Sequence, residues 1–238
     1  VNCSAVVLAG GAWSRLFCRP LGLTLPQLKV LASVMRVDGV DNGPESAAWG
    51  PGFAFRRRLD GGYTIANGAP NIADIVPDSF RFLGAFLPLL RIERSGVRLR
   101  LGRRFLEELS WPSRWNADCV TPFEATRVLD PKPVVHLLNS ALRCLGEIFP
   151  AFKNAIVRQR WAGLIDAMPD AIPVISGVDR LPGFFIATGF SGHGFGIGPA
   201  AGRLMADLVT NAQPLVDPTP FRFSRFSDGS PITPMTGL

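Results

Sequence analysis

The stretch Leu181-Pro-Gly-Phe-Phe-Ile-Ala-Thr-Gly-Phe-Ser-Gly-His-Gly-Phe-Gly-Ile-Gly-Pro-Ala-Ala-Gly-Arg-Leu-Met-Ala-Asp-Leu-Val209 decides the fold of this chain. Phe184 to Thr188 is a short apolar run that predicts a buried strand. The segment 189–198 contains five glycines and predicts a loop. From Pro199 onward the pattern is helical, and proline suits the first helical position because no N–H is needed there. The apolar stripe of this helix is Ala201, Leu204, Met205, Leu208 and Val209.

The predicted order of a strand, a glycine loop and the start of a helix is typical of a binding site for an electron-rich group. Glycines let the backbone approach a ligand closely, and the free N–H groups of a helix's first turn favour negative charge. The alternative is an ordinary tight turn between a strand and a helix. The glycines alternate here with Ser191, His193 and two phenylalanines, and this pattern favours a ligand-binding loop over an ordinary tight turn. His193 either orients the loop through hydrogen bonds or takes part in catalysis.

Three motifs resemble those of the D-amino-acid oxidase family of FAD-dependent amine and amino-acid oxidoreductases, which includes glycine oxidase and sarcosine oxidase. They are Ala187-Thr-Gly-Phe-Ser-Gly-His-Gly-Phe-Gly-Ile-Gly-Pro-Ala-Ala-Gly-Arg-Leu204, Trp161-Ala-Gly-Leu-Ile-Asp-Ala-Met-Pro-Asp-Ala-Ile-Pro-Val-Ile175 and Ala5-Val-Val-Leu-Ala-Gly-Gly-Ala-Trp-Ser14. They occur in the family's order, and the resemblance covers nearly the whole chain. It implies an α/β (mixed α+β) fold: the C-terminal part of a Rossmann-like FAD-binding domain with an inserted antiparallel β-sheet substrate domain.

The resemblance implies a domain organisation and a set of flavin contacts. We expect an FAD-domain strand and loop at 1–20, a substrate domain at 21–155, a returning FAD-domain segment at 156–212 and an extended tail at 213–238. The G-x-G-x-x-G fingerprint that binds the ADP half of FAD is missing, so we expect that the family's N-terminal part is absent. The cofactor-binding residues implied are Gly10, Gly11, Trp13, Gly163, Gly189, Phe190, Ser191, Gly192, His193, Gly194, Phe195 and Gly196.

Other elements follow from local patterns. A hairpin is predicted at 52–67, with its turn at Asp60-Gly61 and with Phe53, Phe55 and Arg57 on one face. Arg57 could bind a substrate carboxylate, or could be a solvated arginine of an edge strand. Sarcosine oxidase-like members hold that carboxylate partly with a lysine, where this chain has Gly196. Further strands are predicted at 28–37, 155–161 and 172–175, and helices at 80–91 and 137–149.

Composition narrows the class of protein. The 238 residues are 47% hydrophobic and carry a formal net charge of +6. The arginine clusters have no interleaved aromatic residues and match no DNA-binding motif, so we expect no nucleic-acid partner. No apolar run is long enough for a membrane span. With two histidines and no CxxC spacing, no metal site is expected, and the four cysteines are expected to be buried free thiols in the cytoplasm.

The resemblance thus implies FAD-dependent oxidation of an amino acid or related amine, by a dehydrogenase or an oxidase. Some dehydrogenase-type members work within larger complexes, so a partner subunit is possible beside the small-molecule substrate. The alternative is a non-catalytic remnant or structural subunit that does not bind FAD alone. The missing fingerprint favours this alternative.

Overall fold

The computed structural model describes residues 2–116 and 118–235 and contains ten strands and seven α-helices within those ranges. In chain order, the first half contains β1 (Val6–Leu8), α1 (Ser14–Cys18), β2 (Leu28–Asp38), β3 (Ala48–Gly50), β4 (Phe53–Arg57), β5 (Tyr63–Ala66), β6 (Asn71–Asp74), α2 (Pro77–Arg81), α3 (Leu83–Ile92) and β7 (Val97–Arg100). The second half contains α4 (Arg103–Ser110), α5 (Pro122–Ala125), α6 (Val135–Ile148), β8 (Ile156–Ala167), β9 (Val174–Gly177), β10 (Phe184–Thr188) and α7 (Gly194–Val209). The mixed α/β composition agrees with the prediction.

The strands form two sheets. The small sheet has the order β1-β10-β9, with β1 parallel to β10 and β9 antiparallel to it. The large sheet has seven strands, in which β2 lies between β8 on one side and β5 and β6 on the other. Its pairs are antiparallel except for β6 with β7. Two halves distant in sequence thus meet along β2 and β8, which pair from Leu28–Ala167 to Asp38–Ile156.

One face of the large sheet is closed by α6. Met35, Phe55 and Tyr63 form a buried core there with Leu138 and Leu145 of α6. The helix predicted at 137–149 is therefore confirmed, and so is the alternation along β4, since Phe53 and Phe55 are buried whereas Ala54 between them is half-buried. The opposite face remains half-buried to exposed over much of its area, and we call it the open face. It consists of Ala32, Val34, Ala54, Arg56, Ala66, Trp161 and Gly163.

Helix α7 differs from its prediction. It begins at Gly194, five residues before Pro199, which lies inside the helix. The chain turns earlier because Ser191 adopts a φ of 51° and its N–H is already bonded to Asp166, so residue 193 can cap the helix. Pro199 removes only the N–H that would reach the carbonyl four residues earlier. The apolar stripe is confirmed, with Ala201, Leu204 and Met205 buried.

Other predicted elements need smaller corrections. The single helix predicted at 80–91 is two helices, because the chain leaves helical geometry at the buried Phe82 and not at Pro88. The strand predicted at 155–161 continues to Ala167 and pairs with β2 throughout. All four cysteines are free, but only Cys18 is buried; Cys3 and Cys119 are exposed because they lie in loops outside the cores. The domain boundaries stay a prediction.

Candidate functional site

Two of the predicted motifs meet at one edge of the small sheet. Because β1 and β10 are parallel, with Leu8 beside Ile186, both strands leave the sheet at the same edge. β1 continues into Gly10 and the 3-10 turn Gly11–Trp13, and β10 continues into the loop 189–193 before α7. Ligands of open α/β sheets bind at such carboxyl edges.

Asp166 at the end of β8 joins the third motif to this edge. Its Oδ2 accepts the Gly189 N–H at 2.7 Å and the Thr188 hydroxyl at 3.2 Å. Its backbone oxygen accepts the Ser191 N–H at 3.1 Å, and the Ser191 hydroxyl accepts the Met168 N–H at 3.1 Å. Burial raises the pKa of the Asp166 carboxyl, although the bonds from Gly189 and Thr188 oppose that effect. The glycine loop is therefore held to β8 by a carboxylate largely removed from water.

The same network reaches α1 through buried polar side chains. Ser14 Oγ lies 2.8 Å from Thr188 Oγ1, and Gln27 Nε2 donates to Thr188 Oγ1 at 3.3 Å. Gln27 Oε1 in turn accepts the Arg15 N–H at 3.0 Å. Sequence reasoning missed this network. Ser14, Asp166 and Thr188 stand inside the three motifs, but nothing along the chain indicates that residues 174 positions apart share a hydrogen bond.

The loop presents unused backbone donors. Within the described residues, the N–H groups of Gly192, Gly194 and Phe195 have no acceptor. These groups lie at the N-terminal end of α7, where the helix dipole favours negative charge. The φ values of 79° at Gly189 and 88° at Gly192 lie in the left-handed region, which glycine adopts without steric cost.

Three of the predicted glycines face open space. A Cβ atom built on Gly11, Gly163 or Gly196 would meet no heavy atom of the described chain within 4 Å. At Gly163 and Gly196 the backbone is also outside the left-handed region, so neither packing nor local conformation demands glycine. Such positions leave room for a flat group to lie against the backbone. The residues present therefore fit the flavin ring that the sequence motifs implied.

The open face and the loop are adjacent. Gly163 on β8 pairs with Ala32 on β2, and both belong to the open face. Two residues further along β8, the side chain of Ile165 lies 3.8 Å from where a Cβ on Gly192 would be. A ligand held by the loop would consequently extend over small side chains of the sheet.

The other predicted cofactor residues occupy distinct positions. Gly10 packs tightly, because a Cβ there would lie 3.2 Å from Ser14 Oγ. Phe190 is half-buried beside Gly194, with its Cβ 3.3 Å from where a Cβ on Gly194 would be. Trp13 lies in an aromatic cluster, with ring centroids 5.8 Å from Trp111 and 5.3 Å from Phe123. Its indole also lines a cavity of about 530 Å³, so its contact with a cofactor stays a prediction.

His193 and Phe195 are exposed at the start of α7. His193 is the residue that caps the helix, and its backbone oxygen accepts the Gly196 N–H at 3.1 Å. No hydrogen bond from its imidazole to the described chain is present, and both roles considered for His193 stay predictions. Phe195 is 97% exposed. Both side chains are available to a ligand.

Arg57 is already paired with a carboxylate. Its guanidinium donates to Glu45 Oε1 at 2.7 Å, and its side chain lies on the side of β4 that carries the buried Phe53 and Phe55. Substrate binding by Arg57 stays a prediction. Its neighbour Arg56 lies on the open face, and among the described residues its guanidinium has no partner.

Comparison with known proteins gives the same assignment as the motifs. A family model described as FAD dependent oxidoreductase (DAO) matches residues 1–208. The solved L-amino acid deaminase from Proteus vulgaris is 35% identical with a TM-score of 0.88, and the match covers 94% of this chain and 52% of that chain. Glycine oxidase from Pseudomonas putida is 34% identical over 92 residues, which cover 39% of this chain and 25% of that protein.

A fourth comparison concerns a subunit. Sarcosine oxidase subunit beta from Arthrobacter sp is 30% identical over 94 residues, which cover 40% of this chain and 23% of that protein. This chain thus spans about half the length of the deaminase and matches about a quarter of each of the two curated relatives. Among the described residues, no helix is both long enough and apolar enough to cross a membrane.

Proposed function

The chain belongs to the DAO family of FAD-dependent oxidoreductases, and on that basis we propose that it holds the flavin of an enzyme that oxidises an amino acid or a related amine. The observation that carries the proposal is the open space at two of the predicted glycines, Gly163 on β8 and Gly196 in the first turn of α7. When bound, the flavin supplies the hydride acceptor for the amine's α-carbon.

The chain's own residues would orient the flavin ring and stabilise negative charge on it. The unused N–H groups of Gly194 and Phe195 stand at the positive end of α7, where they would stabilise negative charge on the pyrimidine part of the ring. Asp166 holds that end in place through Gly189 and Ser191. Gly163 and Ala32 leave a flat surface on which the ring would rest.

The open face is the proposed substrate side. Ala32 and Gly163, the paired members nearest the loop, are small, which leaves space above this part of the sheet for an amino acid. Arg56 lies at the outer end of this face, paired across the hairpin with Thr64. An unpaired guanidinium there would attract a carboxylate, whereas Arg57 is already paired with Glu45.

A partner subunit and a cytoplasmic location belong to the same proposal. The identity with a protein named as a sarcosine oxidase subunit supports a heteromeric enzyme. Four free cysteines suit a reducing compartment. Purification of the tagged protein from its own cells should yield a second chain in a fixed ratio; recovery of the chain alone contradicts the subunit.

The test of flavin binding compares two glycines of one helix. The protein is incubated with FAD and desalted, and its visible absorption spectrum is recorded. The Gly196→Val variant should lose the flavin band, because the new side chain fills the space where the ring would lie. The Gly202→Val variant is the matched control, since Gly202 lies in α7 and also faces open space.

Three outcomes separate the alternatives. Retention by the parent and by Gly202→Val, with loss in Gly196→Val, supports the proposed site. Equal retention in both variants contradicts it. A colourless parent protein contradicts flavin binding by this chain alone and favours a non-catalytic role. Loaded protein is then mixed anaerobically with amino acids and amines, and bleaching of the band identifies the substrate.

A further inference from the structure

A second polar cavity lies between α1, α2, α4 and the start of β2. Its volume is about 80 Å³. A water molecule needs about 10–15 Å³ of such space, so the cavity can take an ion of several heavy atoms. Its lining includes four cationic side chains and two carboxylates: Arg15, Arg19, Lys29, Arg81, Asp78 and Glu108. None of these residues belongs to the glycine loop or the open face.

Each carboxylate is shared between two cations. Arg15 Nε lies 3.0 Å from Asp78 Oδ2, and Arg81 Nε lies 3.4 Å from Asp78 Oδ1. Lys29 Nζ lies 3.0 Å from Glu108 Oε1, which also accepts from Arg104 Nε at 3.0 Å. The two acids are therefore each paired with cations that outnumber them.

Arg19 has no such partner. Among the described residues, its guanidinium makes no hydrogen bond or ion pair. Four positive charges against two negative ones leave an excess of two positive charges around the cavity. The side chains of Arg15 and Lys29 are buried, so their charges are screened less than surface charges and the excess produces a positive local potential.

Two of the four cations are buried, and each shares its carboxylate with a second cation. The side chain of Lys29 is only 11% exposed, and its ammonium lies 4.7 Å from the centre of the Trp111 ring. Burial lowers the pKa of Lys29 and of Arg15, and the nearby carboxylates oppose this only in part. A bound anion would supply the missing negative charge and accept the remaining N–H donors.

We propose that this cavity binds one small oxyanion of the phosphate class, held by Arg19 and Arg81 at its rim and by Lys29 and Arg15 at its base. Guanidinium groups match the oxygens of phosphate in pairs, and an ammonium adds a compact charge. The phosphate has two possible sources. It is either a free anion or the headgroup of a lipid, since Phe80 of α2 and Leu106 of α4 are both 65% exposed.

The test uses inorganic phosphate and needs no flavin. Phosphate binding to the protein is measured by calorimetric titration, and the melting temperature is recorded in phosphate and in chloride of matched ionic strength. Phosphate should raise the melting temperature saturably and chloride should not. The Arg19→Gln and Arg81→Gln variants should each bind phosphate about tenfold more weakly, the loss expected for one charge-assisted hydrogen bond.

A matched control lies on α4. The side chain of Arg103 is 91% exposed and pairs with Glu107 outside the cavity. The Arg103→Gln variant should bind phosphate as the parent does. The proposal is overturned if phosphate and chloride act alike, or if Arg103→Gln weakens binding as much as Arg19→Gln. Both rim variants leave the buried Arg15–Asp78 and Lys29–Glu108 pairs intact, so they should fold.

A vesicle arm separates the two sources. Sedimentation with phosphatidylcholine vesicles is compared with and without phosphatidic acid. Binding that requires phosphatidic acid, is competed by free phosphate and is lost in Arg19→Gln identifies a lipid headgroup. Saturable phosphate binding without vesicle binding identifies a free anion.

Discussion

At the scale of single residues, Asp166 affects both the position of the glycine loop and the pH dependence of stability. Its carboxylate connects Gly189, Thr188 and Gln27, so it determines where the glycine loop stands relative to β8. Burial is the main cause of its raised pKa. A raised pKa means that the folded protein binds this proton more tightly than the unfolded chain does.

The pH dependence of stability follows from that shift. As pH rises from the unfolded pKa of about 3.9 through the raised folded pKa, Asp166 lowers the free energy of unfolding. The Asp166→Asn variant should lose less stability over this window, as measured by urea unfolding at a series of pH values. Asp217→Asn is the control, because hydrogen bonds from Thr219 lower the pKa of Asp217 and its contribution has the opposite sign. If the free energy of unfolding changed with pH in the same way in the parent and in Asp166→Asn, the raised pKa of Asp166 would be contradicted.

Arg56 and Arg57 form a natural pair of variants. They are neighbours on β4 and face opposite sides of the sheet. With a substrate identified by flavin bleaching, Arg56→Gln should raise KM several-fold and leave kcat nearly unchanged, because the guanidinium lies at the outer end of the open face. Arg57→Gln should leave both near the parent values. A larger effect of Arg57→Gln would restore the sequence-based assignment.

At the scale of elements, the C-terminal segment is held by one buried ion pair. Two 3-10 turns, Thr219–Phe221 and Phe223–Phe226, precede the end of the described chain. Arg225 Nε donates to Asp170 Oδ2 at 2.8 Å, and both side chains are buried. The Arg225 guanidinium also lies 4.2 Å from the centre of the Phe226 ring.

Removing this cation should detach the segment. Arg225→Met leaves the Asp170 carboxylate buried without its partner, which costs about 3–5 kcal/mol of unfolding free energy. Urea unfolding and the rate of limited proteolysis measure the effect. Arg222→Met is the matched control, since its pair with Asp228 is about one third exposed and is worth about 0–1 kcal/mol. Equal losses of unfolding free energy in the two variants would show that burial of the ion pair does not determine its contribution to stability.

At the scale of the whole molecule, flavin binding and stability should be linked. The loop, β8 and the Gly11–Trp13 turn come from three distant parts of the chain, so the site exists only in the folded protein. At a concentration 100-fold above Kd, FAD should add about 2.7 kcal/mol to the free energy of unfolding and raise Tm by roughly 5–10 °C. Scanning calorimetry measures the shift, which should vanish in Gly196→Val. An unchanged Tm for the parent would contradict binding.

Local pattern determined several elements of this protein from the sequence alone. The strand Phe184–Thr188, the hairpin with its turn at Asp60-Gly61 and the stripe of α6 were predictable, because alternation and helical spacing record which face is buried. The three motifs predicted the family, since glycine spacing is a property of consecutive residues. The start of α7 was not predictable, because a contact from Asp166 closes the turn before Pro199.

The sequence by itself determined which segments form the site, and only the tertiary structure decided how they meet. Ser14, Gln27, Asp166 and Thr188 share one network although they are far apart in the chain. Alternation along β4 already separated Arg56 from Arg57, whereas the covering of one face of the sheet by α6 was decided by the tertiary structure. Likewise, the cationic cavity gathers residues of α1, α2, α4 and β2. The physical reason is that periodicity encodes burial within an element, whereas hydrogen bonds and charge balance between elements depend on three-dimensional distance.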